Sequence, residues 1–393
     1  MDIDIAGKAV VVTGAARGIG RTLALGLAAE GARVAVLARE RKQAQQVVDE
    51  IGETEGAAPA LALEADVSDE TAVIAAAGEV DAAWGRVDAL INNAGWMPKG
   101  TDMTIAAPGG ALMLADDLTL SRMGYGAMRL AGPGVFGPPE DRDEAIAVLR
   151  TAVELGVTHI DTSGFYGPAT VNEVIRAALH PYPDDLHIVT KVGARRGDDG
   201  SWHPALSPAE LTAQVHENLE QLGLDALDVV NLRQSVHAAP DSSIAEPFGT
   251  LAGLRRDGLI RHLGLSGVSA AQLTEARGIA PVLTVQNRYN LTDREDDELV
   301  DRCEREGIAF APYFPLGGSP SLSLGVLDRV AARLEASPQQ VALAWLLQRS
   351  STMTVIPGTS SVAHLRENVA AADLALPAEA IAELGAISPA RSG

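Results

Sequence analysis

Apolar and polar positions along this chain follow two rhythms with a break between them. From residue 8, KAVVVTGAARGIG is an apolar run that meets a glycine-rich turn, and RTLALGLAAEG follows with helical spacing. ARVAVLAR, LALEADVSD and RVDALINNAG repeat the plan of an apolar run with a polar ending as far as about residue 98. The stretch WMPKGTDMTIAAPGG then loses the periodicity and carries several Pro and Gly, so residues 99–110 read as a linker. From residue 111, ALMLADDLTLSRMGYGAMRL predicts a short hairpin that feeds a first strand. Apolar runs THIDTS, HIVTKVG, LDVVNLR, RHLGLSG, VLTVQN, IAFAPYF and TVIPGT come next, each separated by a helical pattern. With GYGAMR they make eight strand candidates over roughly 270 residues, the size and rhythm of a (β/α)8 barrel.

The runs are almost wholly apolar, which fits a parallel sheet buried on both faces. The helices between them carry clear boundaries. SPAELTAQVHENLEQLG opens with Ser207, Pro208 and Glu210 as cap, first-turn proline and capping-box partner, and Gly223 closes it. Leu211, Val215, Leu219 and Leu222 form its apolar stripe, and Ser337, Pro338 and Gln340 repeat the opening further on.

Composition narrows the classes. The 393 residues are ample for more than one domain, and the net charge of -21 argues against nucleic acid or an anionic membrane as partner. A single cysteine, Cys303, rules out an intrachain disulfide. The N-terminus, MDIDIAGKAV, lacks the plan of a signal peptide, and no apolar stretch reaches the ~18 residues of a spanning helix. The chain therefore reads as a cytoplasmic protein; its oligomeric state is not legible.

Chemistry concentrates in THIDTSGFYG and IVTKVG. Asp161 and Lys191 end apolar runs, and Tyr166 sits five residues beyond Asp161. In a parallel α/β fold, residues at the carboxyl ends of strands point into the active-site mouth. A phenol is a poor acid at neutral pH until a neighbouring cation favours its phenolate. Lys191 can supply that cation and Asp161 can hold it, which together make a general acid for a carbonyl oxygen. The bland alternative is three ordinary polar residues at strand ends.

The first hundred residues resemble the first half of a short-chain dehydrogenase/reductase. Gly14, Gly18, Ile19 and Gly20 form the phosphate-binding turn, and Asp66 and Asn93 match later strand endings. Arg17 and Arg39 would favour NADP over NAD. That resemblance stops near residue 98, and the family's Tyr-x-x-x-Lys pair occurs nowhere in the chain. Residues 1–98 thus read as an incomplete Rossmann-like segment with a vestigial site. Its last strand, around Val87–Ile91, is expected to be an apolar edge.

GYGAMRL, HIDTSGFYG, VTKVG, VQNRYN, PYFPLGG and VIPGTSSVAHLREN occur in the order and spacing of the aldo/keto reductases, over about residues 110–390. GYGAMRLAGPGVFGPP and ALHPYPDDLHIVTKVGARRG look most like the bacterial pyridoxal reductase branch of that family. The resemblance implies a barrel over 111–393 and NADPH-dependent reduction of an aldehyde, pyridoxal-like or otherwise aromatic. Tyr166 is implied as proton donor, tuned by Asp161 and Lys191. Ser266 and Gln286 are implied as nicotinamide contacts, and Gly126 and Met128 as further cofactor-binding residues. Phe314, Pro315, Leu316 and Gly317 would pass over the pyrophosphate. Gly358, Thr359, Ser360, His364, Glu367 and Asn368 would hold the adenosine end.

Three positions depart from the family pattern. Arg233 stands where the family has an active-site histidine; it stays cationic and cannot shuttle a proton at neutral pH. Gly267 replaces an asparagine that contacts the nicotinamide amide, and His364 replaces an arginine that clamps the 2′-phosphate. His237 is a nearby histidine that reads best as a solvated loop residue. No metal-ligand spacing and no nucleophile elbow is present. An NADP(H)-binding sensor with little turnover is the alternative to an enzyme.

Overall fold

The computed structural model describes residues 5–16, 18–53, 58–67, 69–91, 107–234, 242–317 and 325–387. The chain divides into two compact units, Met1–Thr104 and Ile105–Gly393.

The first unit alternates β1 (Ala9–Thr13), α1 (Gly18–Ala29), β2 (Arg33–Ala38), α2 (Arg41–Glu53), β3 (Leu61–Glu64), α3 (Glu70–Trp84) and β4 (Ala89–Ile91). The strands are parallel in the order β3-β2-β1-β4. Apolar side chains of β1 and β2 fill cores on both faces: Val10, Val12, Val34 and Val36 on one side, and Val11, Ala35 and Leu37 on the other. β4 lies at the sheet edge with Leu90 56% exposed, and Val87 beside it is 51% exposed. The expected apolar edge is therefore present. Gly14 takes φ 64°, a left-handed turn that glycine adopts without strain, and α1 begins at Gly18. Arg39 is exposed just beyond β2. Arg17, Asn93 and His237 lie outside the described residues.

The second unit opens with the antiparallel hairpin β5 (Ala111–Ala115) and β6 (Leu118–Ser121). The barrel strands are β7 (Tyr125–Gly126), β8 (His159–Asp161), β9 (His187–Val192), β12 (Leu227–Arg233), β13 (Ile260–Ser266), β14 (Thr284–Gln286) and β15 (Ala309–Phe310). A small antiparallel pair, β10 (Ala194–Arg196) and β11 (Trp202–Pro204), interrupts the rhythm after β9. Helices α4 (Arg142–Glu154), α5 (Thr170–Leu179), α6 (Pro208–Leu222), α7 (Ala245–Arg256), α8 (Ala270–Arg277), α9 (Asp297–Glu306), α10 (Gly325–Arg333), α11 (Pro338–Arg349), α12 (Val362–Ala370) and α13 (Ala378–Gly385) surround it. Seven strands pair in parallel in sequence order from β7 to β15. The eighth place is filled by TVIPGT and the methionine before it through single bridges: Met353 pairs with Phe310 and Val355 pairs with Met123, which closes the ring. The hairpin, the eight-fold alternation and the barrel are thus as the pattern predicts.

The helix signals act as read. Ser207 and Glu210 form a reciprocal capping box on α6, and Gly223 ends it at φ 70°. Leu211, Val215, Leu219 and Leu222 are buried, and Ser337 and Gln340 form a second box on α11. One feature the pattern hides is polar. Gln214 and Asn218 sit on the buried stripe of α6 and bind strand β9: Thr190 donates to Asn218 at 2.7 Å, and the Gly193 amide donates to Gln214 at 2.9 Å. Asn172 of α5 joins them, donating to Asn218 at 3.0 Å and accepting from Thr162 at 2.8 Å. Every donor in this layer finds an acceptor, so it fixes the strand ends that carry the site.

Candidate active site

Parallel register brings the carboxyl ends of the strands level, and the polar residues there follow from it. Asp161 is the last residue of β8, Lys191 lies near the end of β9, and Arg233, Ser266 and Gln286 end β12, β13 and β14. Ser266 pairs in register with both Arg233 and Gln286. Asp161, Lys191, Ser266 and Gln286 are all buried.

Two hydrogen bonds tie three of them together. Lys191 Nζ donates to Asp161 Oδ1 at 2.6 Å and to the Thr162 carbonyl at 3.0 Å. Gln286 Nε2 donates to Asp161 Oδ2 at 2.8 Å, so both carboxylate oxygens are engaged. Ser163 Oγ donates to the Lys191 carbonyl at 3.1 Å, which links the Tyr166 turn to β9. Tyr166 is buried, and the Lys191 ammonium lies 5.1 Å from its ring centroid.

The electrostatics follow from burial and neighbours. Burial pushes the Tyr166 phenol up; Lys191 and Arg233 pull it back without cancelling the effect. The cation therefore acts in the expected sense, yet the net direction is upward, because burial, with the Asp161 charge adding to it, outweighs the cations. Burial alone would pull Lys191 down, but the charge of Asp161 and the bonds to Asp161 and Tyr166 outweigh it, and the ammonium is held above its usual range. Burial pulls the Arg233 guanidinium down, opposed by Tyr166 and Tyr313.

Arg233 occupies an aromatic corner. Its guanidinium lies 5.5 Å from the Phe165 ring and 4.9 Å from the Trp202 ring, and these two rings meet edge-on at 5.4 Å. Arg196 packs on Trp202 at 4.2 Å and donates to the carbonyls of Val135, Gly134 and Gly200. The sequence pattern singled out neither Trp202 nor Arg196, and it did not predict the small β10–β11 pair. The turn residues GDDG between Arg196 and Trp202 in RRGDDGSWHP are a local signal for the small hairpin, though not for its contact with Arg233.

The residues implied for a cofactor fall in two places. Gln286 Oε1 is buried and, among the described residues, has no hydrogen-bond partner. It is an acceptor that a carboxamide NH2 would satisfy. Gly126 and Gly358 lie where strand backbones pack closely: a Cβ on Gly126 would meet the Ile356 carbonyl at 2.5 Å, and one on Gly358 would meet the Gly126 carbonyl at 2.6 Å. The Tyr125 hydroxyl donates to the Thr359 carbonyl at 2.6 Å and holds this seam. Met128 is half-buried just beyond β7, and Gly358 and Ser360 are exposed while Thr359 and Asn368 are buried. His364 is exposed on α12 and Glu367 is half-buried. Phe314 takes φ 53°, unusual for a bulky side chain, and turns the chain into Pro315, Leu316 and Gly317. The orphaned acceptor of Gln286 at the strand ends fits the carboxamide of a nicotinamide, whereas the Gly126–Gly358 contact is backbone packing that closes the ring. Gly14, Gly20, Arg39 and Asp66 belong to the first unit. Among the described residues no group of three or more His, Cys, Asp or Glu is placed to hold a metal, and no helix is long and apolar enough to cross a membrane.

Known proteins agree with this architecture. Residues 122–389 match the model of the aldo/keto reductase family, and residues 8–107 match that of short chain dehydrogenase. Pyridoxine 4-dehydrogenase of Escherichia coli is 57% identical over 273 residues, covering 69% of this chain and 96% of the relative. An uncharacterized oxidoreductase of Schizosaccharomyces pombe is 40% identical over 269 residues, covering 68% of this chain and 87% of the relative. Among solved structures, the thermostable aldo-keto reductase Tm1743 with the inhibitor epalrestat is 28% identical at a TM-score of 0.59, over 69% of this chain and 96% of that one. An aldo-keto reductase of Klebsiella pneumoniae in complex with NADPH shares the fold at a TM-score of 0.60 and 23% identity, over 72% of this chain and 96% of that one. A short-chain-dehydrogenase-like segment thus precedes the barrel, and the chain belongs to the aldo/keto reductase family, as an oxidoreductase.

Proposed function

We propose that the barrel reduces an aldehyde to an alcohol with NADPH, with pyridoxal-like and other aromatic aldehydes as substrates and Tyr166 as proton donor. The observation that carries this reading is the Asp161–Lys191 pair at 2.6 Å, with its ammonium over the Tyr166 ring. NADPH, when bound, supplies the hydride that reaches the carbonyl carbon. Gln286 and Ser266 would hold the nicotinamide, Gly126 and Met128 would line the site beside them, and residues 358–368 would hold the adenosine end.

Tyr166 then has one task. It donates its proton to the carbonyl oxygen as charge develops there, and Lys191 stabilises the phenolate left behind. Burial keeps the phenol protonated but by itself makes it a weaker acid, so the proton transfer depends on Lys191 and Arg233, which act in the opposite direction. Asp161 holds Lys191 charged and aimed. Phe165 and Trp202 offer ring faces to an aromatic substrate. The names of the relatives add support: a pyridoxine 4-dehydrogenase at 57% identity, and a family structure solved with NADPH.

The test is loss of NADPH absorbance when the full chain meets pyridoxal or benzaldehyde, with NADH in a parallel cuvette. Turnover of either aldehyde supports the reading. Tight NADPH binding without turnover of any aldehyde would leave a cofactor-binding module in its place.

A further inference from the structure

Other half-buried arginines of this barrel are neutralised by oxygen atoms. Arg122 donates to the carbonyls of Met353, Ser350 and Leu347, and Arg349 pairs with Asp297 and Asp301. Arg196 is satisfied by three carbonyls. Arg233 differs. Among the described residues its guanidinium has no carboxylate and no carbonyl, only the Phe165 and Trp202 rings against it, with the Tyr166 and Tyr313 phenols acting on it electrostatically.

A half-desolvated guanidinium without an oxygen partner is costly, and its natural complement is an anionic or strongly accepting group brought by a ligand. The Lys191–Asp161 pair is neutral as a unit, so the uncompensated positive charge beside Trp202 comes from Arg233 and Arg196, on a chain whose net charge is -21. Such a mouth draws an anion toward an otherwise repelling surface. The shape of the group matters as much as its charge. An imidazole at this place would present one N–H toward a carbonyl oxygen, whereas a guanidinium presents two in a rigid fork. Two adjacent oxygens on a flat ring match that fork, and the ring can lie against Phe165 and Trp202.

We propose that Arg233 is a specificity-determining residue that selects aromatic aldehydes bearing an oxygen ortho to the aldehyde, gripping that oxygen and the carbonyl oxygen together. This rests on the reading above, in which Tyr166 and Lys191 reduce the carbonyl. Tyr166 protonates the carbonyl oxygen from its own side, while Arg233 fixes the plane of the ring and offsets charge on the ortho oxygen.

The test compares 2-hydroxybenzaldehyde with 4-hydroxybenzaldehyde as substrates of the full chain, wild type against Arg233→Lys and Arg233→Met. Both variants are expected to slow on both aldehydes, so the readout is the ratio of the two kcat/KM values, which does not depend on the fraction of folded protein. The wild type should favour the ortho isomer by about 10- to 100-fold relative to Arg233→Met, as for a lost charged hydrogen bond. Arg233→Lys should fall between, because a point charge cannot bridge two oxygens. A ratio that Arg233→Met leaves unchanged overturns the proposal. A parallel arm measures binding of 2-hydroxybenzoate and 4-hydroxybenzoate to the NADPH-saturated protein by calorimetry. An ortho preference that Arg233→Met abolishes supports recognition by Arg233 even if neither aldehyde is reduced, in which case the reductase reading alone falls. Equal binding of the two benzoates by the wild type overturns the recognition claim whatever the turnover.

Discussion

Lys191 and Asp161 form an ion pair of 2.6 Å with both side chains only 5% exposed. A pair this buried gains little over an apolar substitute, but breaking it by removing one partner strands a charge. Lys191→Met should therefore cost about 3–5 kcal/mol of stability. The double variant Lys191→Met with Asp161→Asn should cost less than that single change, since no charge is left behind. Urea unfolding of the two proteins decides it, and a double variant less stable than Lys191→Met would refute the stranded-charge account.

The pH profile carries the second prediction. Tyr166 and Lys191 both have pKa values raised in the folded protein. Groups raised on folding contribute stability that is complete below their unfolded pKa and lost as pH rises through the folded one. Loss from these two groups thus belongs to the alkaline range, above about 10. On the acid side, Arg233 does not titrate, so kcat/KM should show no limb near ~6.5 from this position. Arg233→His should add such a limb; an unchanged profile in that variant would place the residue outside the reacting shell.

Cofactor choice gives the third. His364 is exposed on α12, and Glu144 already occupies the Val362 amide beside it at 3.0 Å. His364→Arg should raise the NADPH-to-NADH ratio of kcat/KM by about 10-fold, the effect of one added charge-assisted bond to the 2′-phosphate. Gly267, at φ 69° with its nearest obstacle at 3.4 Å, leaves room for asparagine, which tolerates that backbone. Gly267→Asn should tighten NADPH binding by a few-fold, and a loss of folding there would count against the geometry.

The barrel and its hairpin were legible because burial on both faces leaves unbroken apolar runs, and because Ser207 and Ser337 open helices through local chemistry that tertiary packing did not override. Asp161, Tyr166 and Lys191 stood out for a related reason, as polar residues ending or closely following such runs. The corner of Arg233, Trp202 and Arg196 was not legible as a unit, since it joins residues about thirty positions apart through side-chain faces that no periodicity encodes. Nor could spacing alone show that burial outweighs Lys191 in setting the Tyr166 phenol, because that balance depends on how deeply the folded barrel buries the hydroxyl.

The first unit supplies a fourth prediction. It has a parallel sheet with β4 as an exposed edge, and the barrel contains every residue proposed to act in reduction. A protein starting near Thr101 should fold, bind NADPH and keep kcat and KM within a small factor of the full chain. Residues 1–98 alone should be poorly soluble, through Val87 and Leu90 at the edge. A folded barrel that loses activity would assign the first unit a part in function.

The most direct test of the central claim is Tyr166→Phe. If the phenol is the proton donor, this variant should lose about 10²–10⁴ in kcat for aldehyde reduction while NADPH affinity, read by fluorescence titration, stays near that of the wild type. A Tyr166→Phe protein that turns over aldehyde at the wild-type rate would contradict the account.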